Sequence, residues 1–178
     1  MSQKHVTFLL FITLFAQTLA SISSKQDEAG QWMKGTISAK IEGVPPEKVW
    51  PFIEDYCNAY KVFPLKASFC YKGDPLHVEI GHGRYMVFPN GDNFTWEKHR
   101  LVGIDRINYV LTYRMLENTN NLSYYHSVMS VLKDEYGSVL KWDYVVQSKV
   151  FTKESLRAVF EFTVQTTATN IKNLAKSS

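Results

Sequence analysis

The chain reads as an α+β domain: a curved antiparallel sheet of about seven strands, two short helices after the first strand, and one long helix at the C-terminus. Three observations predict this. Segments of period-two hydrophobicity follow one another at hairpin-like spacing from residue 67 to residue 150. No strand-like segment alternates with a helical one there, which argues against a parallel sheet. The last 23 or so residues switch to a helical period, with Leu156, Val159, Phe160, Thr163, Val164, Thr167, Ile171 and Leu174 on one face. A terminal amphipathic helix of that length crosses a whole sheet, and the gap left at one end of such a pair becomes a ligand cavity.

Each element has a local cause. Ile37, Ala39 and Ile41 alternate with Thr36, Ser38 and Lys40, which predicts a first strand over 32–42 with one wet face. Gly43-Val44-Pro45-Pro46 ends it, and a proline there fits the first turn of a helix over 47–55 carrying Val49, Trp50, Phe52 and Ile53. A second helical turn over 58–62 stops at Pro64. Strands are then expected over 67–72, 83–88, 93–104, 108–116, 124–133 and 139–150, separated by Pro89-Asn90-Gly91-Asp92, Asp105-Arg106, Glu117–Asn121 and Asp134-Glu135-Tyr136-Gly137. Thr152 is a natural N-cap for the final helix, 153–175.

The first twenty residues read as an address. An eleven-residue apolar run, Val6–Ala16, follows Lys4 and precedes Leu19-Ala20-Ser21, the layout of a cleavable secretory signal and too short for a membrane anchor. Residues 21–30 are expected to be a flexible N-terminus and 31–178 a single ligand-binding domain, secreted or routed to the endomembrane lumen or vacuole. In that setting Asn93-Phe94-Thr95 and Asn121-Leu122-Ser123 are candidate glycan acceptors. Cys57 and Cys70 could bridge, contributing about 3 kcal/mol, or remain buried thiols; spacing does not decide between them.

Composition narrows the function. With 45% hydrophobic residues the chain is no disordered segment, and 20 basic against 17 acidic residues give +3, too little to favour nucleic acid. His77 and His82 are five apart without an acidic partner pattern, so zinc and iron are not expected. Gly81-His82-Gly83 opens no helix, so no phosphate loop is present. The expected partner is a small hydrophobic or amphipathic metabolite, bound by a monomer without a cofactor.

Sorting strand residues by parity places several ionisable groups on the inner face. Arg84 shares its side with Met86 and Phe88; Glu97 and His99 with Leu101; Tyr109 with Leu111, Tyr113 and Met115; Tyr125 with Ser127, Met129 and Val131; Trp142 and Tyr144 with Leu140 and Val146. Unpaired buried charges are costly, so Arg84, Glu97, His99 and Tyr125 should pair or meet a ligand. A forked cation, an imidazole beside a carboxylate, and a phenol could together run acid–base chemistry on a small polarised substrate. Met86, Phe88, Tyr109, Tyr113, Met129, Trp142, Tyr144, Phe160 and Val164 are the expected ligand-lining residues.

Specific motifs add a resemblance. Gly43-Val44-Pro45-Pro46-Glu47-Lys48-Val49-Trp50, Lys61-Val62-Phe63-Pro64, Gly81-His82-Gly83-Arg84-Tyr85, residues 98–105 (KHRLVGID) and Tyr125-His126-Ser127-Val128-Met129 are similar to those of plant lachrymatory factor synthases. These belong to the START and pollen-allergen helix-grip superfamily of lipid and metabolite binders and polyketide cyclases. The resemblance runs from Trp32 to the C-terminus. It implies a helix-grip fold and a cofactor-free rearrangement in which Arg84 and Tyr125 hold an oxygen. His99 stands where that family's proton-moving glutamate is expected, so His99, with Glu97, either takes over the proton transfer or marks a non-catalytic carrier or receptor of a hydrophobic ligand.

Overall fold

The computed structural model describes residues 30–177. Residues 1–20, the expected signal segment, and 21–29, the expected flexible N-terminus, lie outside the described residues. Strand β1 (Gln31–Glu42) leads through Gly43 into helix α1 (Pro46–Glu54) and a 3-10 helix (Tyr56–Lys61). Six strands follow, β2 (Ala67–Lys72), β3 (Gly83–Asn90), β4 (Asn93–Asp105), β5 (Val110–Asn118), β6 (Leu122–Asp134) and β7 (Gly137–Ser148), and then helix α2 (Lys153–Ser177). All seven strands form one antiparallel sheet in the order β1-β7-β6-β5-β4-β3-β2. Each neighbour in β2–β7 is sequential, as hairpin-length connections dictate, and β1 closes the far edge on β7.

Helix α2 lies across the inner face of this sheet and buries Leu156, Phe160, Val164, Thr167, Ala168 and Ile171. Its start is fixed by a reciprocal cap: Ser155 N donates to Thr152 Oγ1 at 3.1 Å, and Thr152 N donates to Ser155 Oγ at 3.0 Å. Asn170 Nδ2 donates to Val62 O at 2.8 Å and ties the helix to the end of the 3-10 segment. Among the described residues no helix is long and apolar enough to cross a membrane.

Several expected boundaries move. The turn after β4 extends further than its Asp105-Arg106 pair suggests, because Asp105 Oδ1 accepts from both Ile107 N and Asn108 N at 3.0 Å. Tyr109 then takes a left-handed conformation, φ 55°, and β5 begins only at Val110. Strand β7 runs from Gly137 to Ser148, two residues earlier at each end than expected, since Gly137 pairs directly with Asp134 across a tight hairpin.

Cys57 and Cys70 are bonded, with Cα atoms 4.9 Å apart. The bridge joins the 3-10 segment to edge strand β2, beside the buried Ser68 hydroxyl that donates to Cys57 O at 2.9 Å. Closing a loop of that 13-residue separation is worth about 3 kcal/mol. Denaturant unfolding of a Cys57→Ser, Cys70→Ser variant is therefore expected to give an unfolding free energy lowered by about that amount, with a correspondingly lower midpoint; an unchanged free energy would show that the bridge constrains nothing.

Candidate functional site

A cavity of about 400 Å3 opens between the N-terminal half of α2 and the tips of β3–β6. Its walls are mostly apolar: Phe63, Met86, Phe88, Trp142, Leu156 and Phe160. Asn90, Thr95 and Thr163 lie on its lining, and five further polar groups converge where β4, β5 and β6 run side by side: Glu97, His99, Tyr113, Asn120 and Tyr125. That combination of apolar wall and a few converging polar groups is the usual make-up of a small-molecule site.

Period-two alternation along β4 places Glu97 and His99 on the same inner face as the fully buried Leu101. His99 Nε2 lies 2.7 Å from Glu97 Oε2, and Asn120 Nδ2 donates to Glu97 Oε1 at 2.8 Å. With a carboxylate as its partner, Nε2 carries the proton and donates it. Burial by itself raises the Glu97 carboxyl, but the hydrogen bonds from His99 and Asn120 outweigh it, and the pKa lies below the ordinary glutamate value. Burial lowers the His99 imidazole below its ordinary value, Arg84's charge adds to that, and Glu97 only partly offsets it. The pair therefore rests as carboxylate and neutral imidazole.

The depressed His99 value carries a sign. Between the folded and ordinary values the unfolded chain binds the extra proton, so stability rises with pH across that window. It is fully present above the ordinary histidine value of about 6.5 and is lost as pH falls through the folded-state value. Thermal melts of the parent chain and of His99→Gln should diverge as pH rises from 4 to 7. Parallel curves would contradict a neutral buried imidazole.

Tyr113 and Tyr125 stand beside the pair, their hydroxyl oxygens 3.2 Å apart, and the Tyr113 ring stacks on His99 at 5.0 Å. Burial raises both phenols above their ordinary value, so they act as neutral hydrogen-bonding groups. Phe160 of α2 packs on Tyr125, Trp142 and Tyr144, with ring centroids 6.0, 5.1 and 4.4 Å away. Trp142 Nε1 is satisfied by Ser127 Oγ, which in turn donates to Asp143 O at 3.0 Å.

Arg84 is buried as parity requires, and directly opposite His99 in the β3–β4 register. It does not line the cavity. Its guanidinium sits between the rings of Tyr56 and Tyr113, 4.3 and 4.7 Å from their centroids, and Nη1 donates to Tyr56 O at 3.4 Å. Its Nε and Nη2 groups, like His99 Nδ1 and the Tyr56 hydroxyl, are buried without a hydrogen-bond partner among the described residues. The cation thus acts on the pair through space, from behind Tyr113.

Of the nine expected lining residues, Met86, Phe88, Tyr113, Trp142 and Phe160 line the cavity. Four lie elsewhere. Tyr109, turned by its left-handed backbone, packs on Trp50 at 5.7 Å near the opposite end of the sheet. Tyr144 reaches over Gly35, where a Cβ would stand 2.5 Å from its hydroxyl. Met129 and Val164 fill the solid core between sheet and helix. Parity analysis missed Asn120, Leu122 and Phe151 at the mouth, and Val159, Phe162 and Thr163 on α2. The helical stripe contained Val159 and Thr163, and that was the available signal. Asn93 and Asn121 are both exposed, at the turns that frame the mouth. Among the described residues no group of three or more His, Cys, Asp or Glu side chains is placed to hold a metal.

An open seven-stranded antiparallel sheet gripping a long C-terminal helix, with short helices after the first strand, is the Bet v 1-like helix-grip fold. The crystal structure of Ara h 8.0201 is similar to it, with a TM-score of 0.66 over 83% of this chain and 100% of that one, at 15% sequence identity. That identity establishes the fold alone. No family model and no curated protein sequence matches the chain.

Proposed function

We propose that this chain is a secreted or endomembrane-routed relative of the lachrymatory factor synthases that binds a small, largely apolar plant metabolite and isomerises or cyclises it by proton transfer, without a cofactor. The observation that carries the reading is the ionised Glu97 carboxylate, held by His99 and Asn120 in the wall of an apolar cavity. A carboxylate with two donors still has free lone pairs to accept a substrate proton. In the proposed step Glu97 takes a proton from one substrate atom and returns it to another, so the product is an isomer. Tyr125 hydrogen-bonds the substrate oxygen on which charge develops. His99 keeps Glu97 ionised and aimed, and Arg84 stabilises the charge from behind Tyr113; both are positioning residues. Passage through the secretory route would expose Asn93 and Asn121 to glycan transfer.

The second reading is a carrier or receptor. It is favoured by the withdrawal of Arg84 from the cavity, since a cation that cannot touch the ligand cannot hold its oxygen. Incubation with small alkenyl metabolites, including sulfenic acids generated in situ, in deuterium oxide separates the two. Proton transfer through Glu97 predicts an isomeric product, labelled with solvent deuterium to the extent that the proton held on Glu97 exchanges before it is returned, and turnover reduced by about 100-fold or more in Glu97→Gln. A tightly retained, unchanged lipid in native mass spectra, with no deuterium incorporated, would favour the carrier.

A further inference from the structure

The face of the sheet turned away from α2 carries a second constellation. Its aromatic part lies on β2–β4. Phe69, Tyr85 and Trp96 stack across the three strands at 5.2 and 5.3 Å, while Tyr71, 41% exposed, lies outside that stack with Lys98 Nζ 5.9 Å from its ring centroid. The Tyr71 ring lies flat over Gly83. A Cβ at Gly83 would stand 2.4 Å from Tyr71 Cζ and 2.8 Å from both Cε atoms, as for a point directly beneath a ring face. Gly83 thus clears the space in which Tyr71 lies down as a platform.

A basic line begins at this platform. The register pairs Gly83 with Arg100, Arg100 with Arg114, and Arg114 with His126, so three basic side chains stand on successive strands β4, β5 and β6. Lys98 beside them is already held by Glu117 at 2.7 Å. The side chains of Arg100 and Arg114 have neither a hydrogen bond nor an ion pair among the described residues, and Arg100 Nε is buried without a partner. Like charges directly opposite each other in a sheet are destabilising. Among the described residues the fold tolerates that cost with no counter-ion paired to either arginine.

We propose that this face binds an acidic polysaccharide of the uronate type, one sugar ring on Tyr71 and successive carboxylates on Arg100 and Arg114. The line from the platform to His126 crosses three strand spacings, roughly 14 Å, which suits a chain with an acid group on each ring rather than a single small anion. Guanidinium forks match planar carboxylates in bidentate fashion. A single-stranded nucleic acid is the poorer fit: it needs several open ring faces, and Phe69, Tyr85 and Trp96 are closed on one another.

Affinity electrophoresis of the full chain through polygalacturonate, dextran, polyuridylate or anionic vesicles tests this. Retardation by polygalacturonate alone, relieved by salt, is expected. The Arg100→Gln, Arg114→Gln variant should lose about tenfold in affinity and Tyr71→Ala several-fold, with binding of a neutral cavity probe such as 1-naphthol unchanged. The double arginine variant should melt no lower than the parent, because it removes a like-charge pair. No retardation, equal retardation by dextran, polyuridylate or vesicles, full retention by the arginine variant, or a lowered melting temperature for it would each overturn the proposal.

Discussion

His99→Ala is expected to destabilise the chain by about 3–5 kcal/mol, the largest effect of any single polar substitution here, because it strips an ionised buried carboxylate of its principal donor. Glu97 is 7% exposed and keeps only the Asn120 amide once His99 is gone. Its carboxyl then rises toward protonation as burial dominates, and the stability lost at neutral pH is partly regained in acid. The double substitution Glu97→Met, His99→Leu removes both polar partners and fills their volume, so it should recover most of the loss while abolishing proton transfer. Urea unfolding of the three chains at pH 7 reads this directly. A double variant no more stable than His99→Ala would contradict it.

Phe160→Ala is expected to cost a similar 3–5 kcal/mol and to enlarge the cavity. Its ring packs on Tyr125, Trp142 and Tyr144 together, and it lines the cavity as well. Truncation removes those ring contacts and leaves a void continuous with the binding space, so relaxation can recover little of the loss. The same variant should accept a ligand one aromatic ring larger than the parent does. Calorimetric titration with a graded series of aryl alcohols, alongside the melt, checks both halves. A variant that melts normally and keeps the parent's size limit would contradict the packing described.

How much of this was legible in the sequence depends on what parity can report. Along β4 it placed Glu97, His99 and Leu101 on one face, and the structure keeps them there even though the β4–β5 register shifts at two places. The same rule put Arg84 inside but could not see depth: two rings, from the 3-10 segment and from β5, stand around it. Tyr109 was misplaced because the Asx-type bonds of Asp105 lengthen a turn that composition alone leaves short. Leu122 was overlooked because β6 begins two residues earlier than its alternation suggests, past a bulge between Leu122 and Tyr124. The pairing of Cys57 with Cys70 needed a Cα separation that no spacing supplies. Cavity walls drawn from α2 were the least legible, because Val159 and Phe162 are exposed residues of the helix rather than part of its buried stripe.

The central claim, that an ionised Glu97 held by a neutral His99 forms part of the wall of a ligand cavity, is tested most directly by the ring resonances of His99 during titration with 1-naphthol at pH 7. The account predicts one saturable site, a neutral Nε2-protonated imidazole throughout, and a His99 shift that saturates together with binding and disappears in Phe160→Trp, which fills the space. Saturable binding that leaves the His99 resonances unmoved, or an imidazolium spectrum at neutral pH, would contradict it.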